Sequence, residues 1–244
     1  MAVQEFKSHG ITPDTPNNIV LGAGTIHSGL KYTKTYAETA DETAQAGKTY
    51  YERTGTSEAD YVYTVKDVED SGSVAGLYEL TGGSWNAAES ILGATSGGNT
   101  FTIEPEMTDI EVDGAMVKVM GLAVKTNETA TLETNLVELT PENFKLATNG
   151  MAGEGLPDYD EIKSRARIEK DAYIQNFGFV GKKINGEPII IIFDYALCTS
   201  GLEWDAQAKE AGVLAATFEC YAPIDGDLET LPWHIYTPKK QVQE

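Results

Sequence analysis

The sequence predicts a mainly β protein, and three features predict it. From Asn17 onward, β-branched and aromatic residues alternate with polar ones, the period of two that marks a half-buried strand. Glycine-rich punctuation separates these runs, and only one stretch carries a convincing helix start. The first strand-like run is Asn17 to Tyr32. Strands resume at Ile91 to Met107 and continue at Ala115 to Lys125, Glu128 to Val137, Arg165 to Phe179, Pro188 to Leu197 and Gly212 to Tyr221. The helix is short, at "TPENFKLAT". Thr140 caps it, Pro141 takes the first helical position, where a missing N–H costs nothing, and Glu142 sets negative charge near the N-terminal dipole.

Between Thr33 and Ala88 the composition shifts towards Tyr, Thr, Ala and acid. We read residues 33–88 as a small β insertion in a parent domain made of residues 1–32 and 89–244. Within it, "GKTYYERTG", "DYVYTVKDV" and "GLYEL" predict three short strands separated by Gly, Ser and Asp turns. Seven of the twelve tyrosines fall between Tyr32 and Tyr78. Tyr50, Tyr51, Tyr61, Tyr63 and Tyr78 are candidates for an exposed face that binds carbohydrate or protein. The alternative is that alternate tyrosines form a thin core. Residues 1–16 read as an extended arm, since Pro13 and Pro16 disfavour a helix and few of these residues suit a core.

With 38 acidic and 18 basic residues the formal net charge is −20, which excludes a nucleic-acid binder driven by electrostatics. No window approaches the roughly 18 continuous apolar residues of a membrane span, and "MAVQEFKSHG" has no apolar h-region. The expectation is a soluble protein made in a cytoplasm, with no membrane anchor. Cys198 and Cys220 lie in apolar runs and are expected as buried free thiols, although adjacent strands would let them pair.

No motif carries catalysis. Gly47-Lys48-Thr49 resembles the end of a phosphate-binding loop, but Glu42 stands where the first glycine belongs, and the continuation is strand-like. Gly22, Gly24 and Gly29 have the wrong spacing for a dinucleotide fingerprint. His9, His27 and His234 match no zinc-ligand or nucleophile–base spacing, so they read as surface or packing residues. The acidic turns Asp158 to Glu161 and Asp225 to Glu229 do not match a calcium loop and read as solvated. We therefore expect no enzyme, no metal and no cofactor.

The most informative segment runs from Thr100 to Thr126. Thr102, Glu104, Glu106 and Thr108 share one strand face, and Asp109, Glu111 and Asp113 form a second polar set. The polar phase slips by one residue between Thr108 and Asp109, as a bulge produces. Asp113-Gly114 is a tight-turn signal before a return run, Met116 to Val124. This pattern predicts a long hairpin with a carboxylate-rich face.

These segments, with "NNIVLGAGTIHSGL", "VMGL", "ATLETNLVELTPENF" and the stretch from Tyr173 to Ala222, resemble the major tail protein, or tail tube protein, of long-tailed siphophages. The resemblance covers most of the chain outside Thr33 to Ala88. It implies a β-sandwich with a flanking helix and a long hairpin, assembled as hexameric rings that stack into a tube for DNA ejection. It also implies that strands of neighbouring subunits join into an inner barrel. Partners would be further copies, other tail proteins and double-stranded DNA that passes without specific binding. Repeated around a ring, Glu104, Glu106, Glu111 and Asp113 would line the lumen and repel phosphates. Asp109, at the slip, is a weaker candidate. The Tyr-rich insertion departs from the simplest pattern and is expected on the tube exterior. Two other classes stay open: a surface-displayed β-sandwich adhesin that uses the insertion, and a carboxylate-dependent hydrolase, for which no motif speaks.

Overall fold

Val213–Cys220 alternates half-exposed and buried residues along its whole length, whereas Pro188–Cys198 buries most of its side chains on both faces. The first pattern belongs to a strand with one face inward, and the second to a strand at the middle of the assembly. The computed structural model describes residues 15–69, 71–205 and 212–239. In chain order its elements are α1 (Thr15–Asn18), β1 (Thr25–His27), β2 (Tyr32–Glu38), β3 (Tyr50–Thr54), β4 (Val62–Lys66), β5 (Tyr78–Trp85), α2 (Ala87–Ser90), β6 (Thr95–Asp109) and β7 (Ala123–Leu136). They continue with α3 (Pro141–Thr148), β8 (Met151–Ala152), β9 (Ile162–Lys163), β10 (Ile174–Lys182), β11 (Pro188–Cys198), β12 (Glu203–Asp205), β13 (Val213–Cys220) and β14 (Trp233–Tyr236). The protein is mainly β, its sheets are antiparallel, and it is consistent with a β-sandwich. The chain divides into two compact units, Met1–Leu30 with Ala88–Glu244, and Lys31–Ala87.

The larger unit holds a sheet in the order β1-β10-β11-β13-β7-β6, with β12 on β13 and β14 on β11. β10 pairs along one edge of β11. The other edge is shared: β14 pairs with Ile190 to Phe193, and β13 takes over from Ala196 to Cys198. β11 therefore changes partner midway, which lets the sheet split and fold over its own core. Ring contacts between strands that are not neighbours cross that core. Phe177 of β10 lies 4.3 Å from Phe218 of β13, and Phe101 of β6 lies 5.9 Å from Phe193 of β11, centroid to centroid.

Helix α3 forms where its local chemistry predicts. Thr140 Oγ1 accepts the Asn143 N–H at 3.2 Å, and Pro141 opens the helix. It stops at Asn149, in the left-handed region at φ 50°, whose N–H donates to Leu146 O, while the Gly150 N–H donates to Lys145 O. Ala147 enters the core, and Phe144 and Leu146 pack against it.

Several expected strands are corrected. The run from Asn17 to Tyr32 yields only β1 before β2 begins, because Gly22, Gly24 and Gly29 adopt positive φ and break the ladder. Gly24 permits a close approach as well: a Cβ there would lie 2.2 Å from the Phe179 ring. The run from Arg165 to Phe179 becomes strand only at Ile174, after a single 3-10 turn at Lys170–Ala172. Most of the expected extended arm, residues 1–14, lies outside the described residues. Its last two residues, Thr15 and Pro16, begin the helical turn α1, because a proline in a first turn surrenders no hydrogen bond.

The smaller unit has four strands rather than three, in the order β2-β5-β3-β4. One side of its sheet buries Tyr50 near the loop that carries Asp41 and Gln45. The Tyr50 hydroxyl accepts the Gln45 N–H at 3.0 Å and donates to Asp41 Oδ2 at 3.4 Å.

Cys198 and Cys220 lie on neighbouring strands but out of register, since Ala196 pairs with Cys220 and Cys198 with Phe218. Both are free and buried, and burial pushes the Cys220 thiol up to about 12. Neither thiol should react with a disulfide reagent at neutral pH until the protein is unfolded, and fast labelling of native protein would contradict this packing. Phe177→Ala removes a fully buried ring at the crossing of the two layers. It should cost about 3–5 kcal/mol in urea denaturation.

Candidate functional site

The long hairpin of β6 and β7 is built on an alternating strand pair. Phe101 and Ile103 of β6 pack against the core, opposite Leu132 and Ala130 of β7, which lie within it. The intervening Thr100, Thr102, Glu104 and Glu106 then point to the other face, beside Glu133, Thr131, Thr129 and Asn127. That face is wholly polar. Glu104 and Glu106 are exposed on it.

At the root, Gly97 and Gly98 both take positive φ where the register shifts between Thr95 and Asn99. The second irregularity corrects the expected one. It lies between Glu106 and Met107, two residues earlier than the sequence pattern suggested, and the extra residue is Thr126 on β7. A slip in polar phase marks a change of pairing but does not reveal which strand holds the surplus residue.

Beyond Asp109 the strands end. Glu111 and Asp113 therefore do not share a strand face with each other. They belong to a tip loop, Ile110 to Leu122, closed by the Ile110 N–H donating to Leu122 O at 2.8 Å. Two turns shape the loop, at Val112 to Ala115 and Val119 to Leu122, with Gly114 at φ 89° and Gly121 at φ 91°. The expected return strand from Met116 is absent, and pairing resumes at Ala123. The loop is apolar yet exposed. Met116 is 100% and Met120 99% accessible, and Ile110, Val112, Val117 and Val119 are exposed with them. Across the tip Lys118 pairs with Asp109, which raises the Lys118 pKa.

β6 ends the strand order, so no described strand pairs with its outer edge. At the root, the Asn99 amide donates to Ala23 O at 2.6 Å. On β7, the nearly buried Glu128 carboxylate pairs with Lys125 and accepts the Trp233 indole N–H from β14 at 3.0 Å. The Lys125 ammonium, with help from the indole, holds the Glu128 carboxyl below its ordinary range against the opposing effect of burial.

The tyrosine candidates separate. Tyr50 is buried apart, whereas Tyr51, Tyr61, Tyr63 and Tyr78 are half-buried. Tyr63 stacks on Tyr36 at 3.9 Å and 9° between planes, Tyr51 meets Tyr36 edge-on at 5.0 Å, and Tyr78 meets Tyr63 edge-on at 5.4 Å. β2 and β4 are the first and last strands of their sheet, so the Tyr36–Tyr63 stack reaches across one face from one outer strand to the other. The tyrosine rings thus pack on one another as the thin core of this unit. Sequence reasoning missed Arg53, whose guanidinium carbon lies 4.2 Å from the Tyr61 ring centroid and 4.7 Å from that of Tyr78.

The remaining candidates resolve simply. His27 is buried between Thr25 Oγ1 at 2.7 Å and Ser90 Oγ at 3.0 Å, and His234 faces Asp194 at 3.4 Å. His9 lies outside the described residues. Asp227 accepts from Thr230 and from the Glu229 N–H, and Glu161 pairs with Lys163. Among the described residues no group of three or more His, Cys, Asp or Glu side chains converges on a metal position, and no helix is long and apolar enough to cross a membrane. No protein-family model matches the chain, and no curated protein matches it significantly.

Glu128 yields a test of the hairpin's anchorage. Because its carboxyl titrates below the unfolded value, its stabilisation is present above pH about 4.5 and is lost as pH falls through the folded value. Glu128→Gln should lower the urea midpoint at pH 7, and the gap to wild type should narrow under acid. A gap independent of pH would show that the charge plays no part.

Proposed function

We propose that this chain is a structural virion protein that assembles as stacked hexameric rings into a phage tail tube, a conduit for DNA ejection. The observation that carries this reading is the open outer edge of β6, a fifteen-residue strand that pairs with β7 on one side and with no described strand on the other. Unpaired backbone donors and acceptors over that length are a template for another strand, and a closed ring of copies removes every such edge. The exposed apolar tip supports the same reading, because so many accessible aliphatic and Met side chains on one loop mark an interaction surface.

In this tube the polar face of the hairpin lines the lumen. Glu104 and Glu106 stand on the strand wall, and Glu111 and Asp113 stand at the tip. Their charge keeps passing DNA from sticking, the reverse of a basic groove that retains it. The partners are further copies and other tail proteins, the location is the virion tail, and no chemical step is required. The smaller unit sits on the tube exterior.

Negative-stain microscopy of purified protein tests the assembly. Rings or tubes are expected, whereas protein that stays monomeric at every concentration would count against the tube. Hydrogen exchange should find amides of Thr100 to Thr126 slow in tubes and fast in monomers, and equal protection in both would count against edge pairing. Replacing Glu104, Glu106, Glu111 and Asp113 together by Lys should leave the subunit folded and make the tube retain DNA at low salt. Normal ejection by that variant would refute the lumen assignment.

A further inference from the structure

The register of the smaller sheet sorts its side chains by face. Tyr51 pairs with Val65 and Tyr78, Arg53 with Tyr63, Tyr36 with Leu80 and Glu38 with Tyr78, so these residues share one face. Tyr50, Glu52 and Glu79 fall on the other. There the charges are matched: Lys48 lies 2.8 Å from Asp41 and 3.3 Å from Glu79, and Lys66 lies 3.1 Å from Glu52.

Arg53 is different. It is exposed, it lies against the rings of Tyr61 and Tyr78, and it makes no ion pair or hydrogen bond with any described residue. The hydroxyls of Tyr36, Tyr51, Tyr61, Tyr63 and Tyr78 also have no hydrogen-bond partner among the described residues. One face therefore presents an exposed guanidinium with no described hydrogen-bond partner, close to the rings of Tyr61 and Tyr78, on the face that also carries the half-buried Tyr36, Tyr51 and Tyr63.

We propose that this face binds an acidic polysaccharide, with a sugar carboxylate on Arg53 and sugar hydroxyls on the phenols. A carboxylate matches the planar fork of a guanidinium through two parallel hydrogen bonds. The rings already restrict Arg53, so little freedom is lost when the ligand docks. A polyhydroxylated chain supplies donors and acceptors to every phenol. An apolar protein surface would instead bury those hydroxyls and the cation without partners, which is costly. A neutral sugar would leave Arg53 unmatched. Nucleic acid needs a basic stripe, and the described strands put only two separate cations, Arg53 and Lys34, on this face, with Glu38 beside them. Glu38 also repels densely charged polymers, so it favours sugars whose carboxylates are spaced along the chain. The proposal does not depend on ring assembly.

The test uses the full chain and titrates oligogalacturonate against it by calorimetry, with the fully methyl-esterified oligomer as the uncharged match. The acid form should bind, the ester should bind at least about tenfold more weakly, and Arg53→Gln should lose at least about tenfold in affinity for the acid form. Glu38→Gln should tighten binding. Tyr63→Phe, which keeps the ring and deletes a hydroxyl, should weaken binding without altering the circular dichroism. Equal binding of acid and ester would overturn the proposal, as would an unchanged Arg53→Gln affinity. So would the absence of heat at millimolar oligogalacturonate and at millimolar hyaluronate oligosaccharide. Poly-glutamate bound as tightly as the sugar, with the same dependence on Arg53, would reassign the face to an acidic protein segment. Should Arg53→Gln unfold the chain, the ester comparison on the wild type still decides. The assay uses unassembled protein, so failure to form tubes does not bear on it.

Discussion

The larger unit depends on the pairing of β11. "PIIIIFDYAL" is apolar for most of its length, and its strand is covered on both faces. It exchanges hydrogen bonds with β10 along one edge and with β14 and then β13 along the other. At the change of partner the ladder continues through single bonds, since the Asp194 N–H donates to Pro232 O and the Tyr221 N–H to Tyr195 O. The consequence reaches the hairpin. β7 is held by β13, β6 is held by β7, and the rings of Phe101 and Phe193 close the far layer back onto β11.

What was legible in the sequence follows from which signals are local. Alternation in Gly212 to Tyr221 and continuous apolarity in Pro188 to Leu197 mapped directly onto β13 and β11, because burial on one face or on two writes itself into the period. Helix α3 was readable from Thr140 and Pro141, whose effects act within a single turn. β14 was not readable: a four-residue strand set between Pro232 and Pro238 is too short to show a period. β2 was hidden in the composition shift that marked the insertion. The run from Ala115 to Lys125 looked like a strand because apolar residues in a chain suggest burial, yet Met116, Val117 and Met120 are exposed.

The candidate sites were legible to different depths. Glu104 and Glu106 could be placed on one face from their spacing alone. Glu111 and Asp113 could not, because spacing fixes a face only while the strand persists, and β6 stops at Asp109. The tyrosine cluster was visible as composition, but its packing depends on the strand order that sets Tyr36 of β2 against Tyr63 of β4, a long-range property. Arg53 had no signal at all. Its stacking arises because β3 lies between β4 and β5, which brings Tyr61 and Tyr78 to either side of it.

The composition of the β6 edge bears on what kind of contact it can make. A long open edge invites indiscriminate pairing, and this one carries the usual restraints: charges at Glu104, Glu106 and Asp109, and Pro105, which removes a donor. Two copies pairing β6 to β6 about a twofold axis centred on Pro105 would set Glu104 of each against Glu106 of the other and bring two prolines together. Like charges directly opposite destabilise a strand pair, and the missing donors leave a gap in its ladder. A symmetric dimer through the acidic half is therefore disfavoured, while pairing with a different edge of a neighbouring copy avoids the facing carboxylates and meets one missing donor rather than two. Contacts between unlike surfaces do not stop at two. They continue until rotation closes a ring or translation extends a filament, and in a closed ring the same carboxylates that disfavour the dimer would recur at regular intervals.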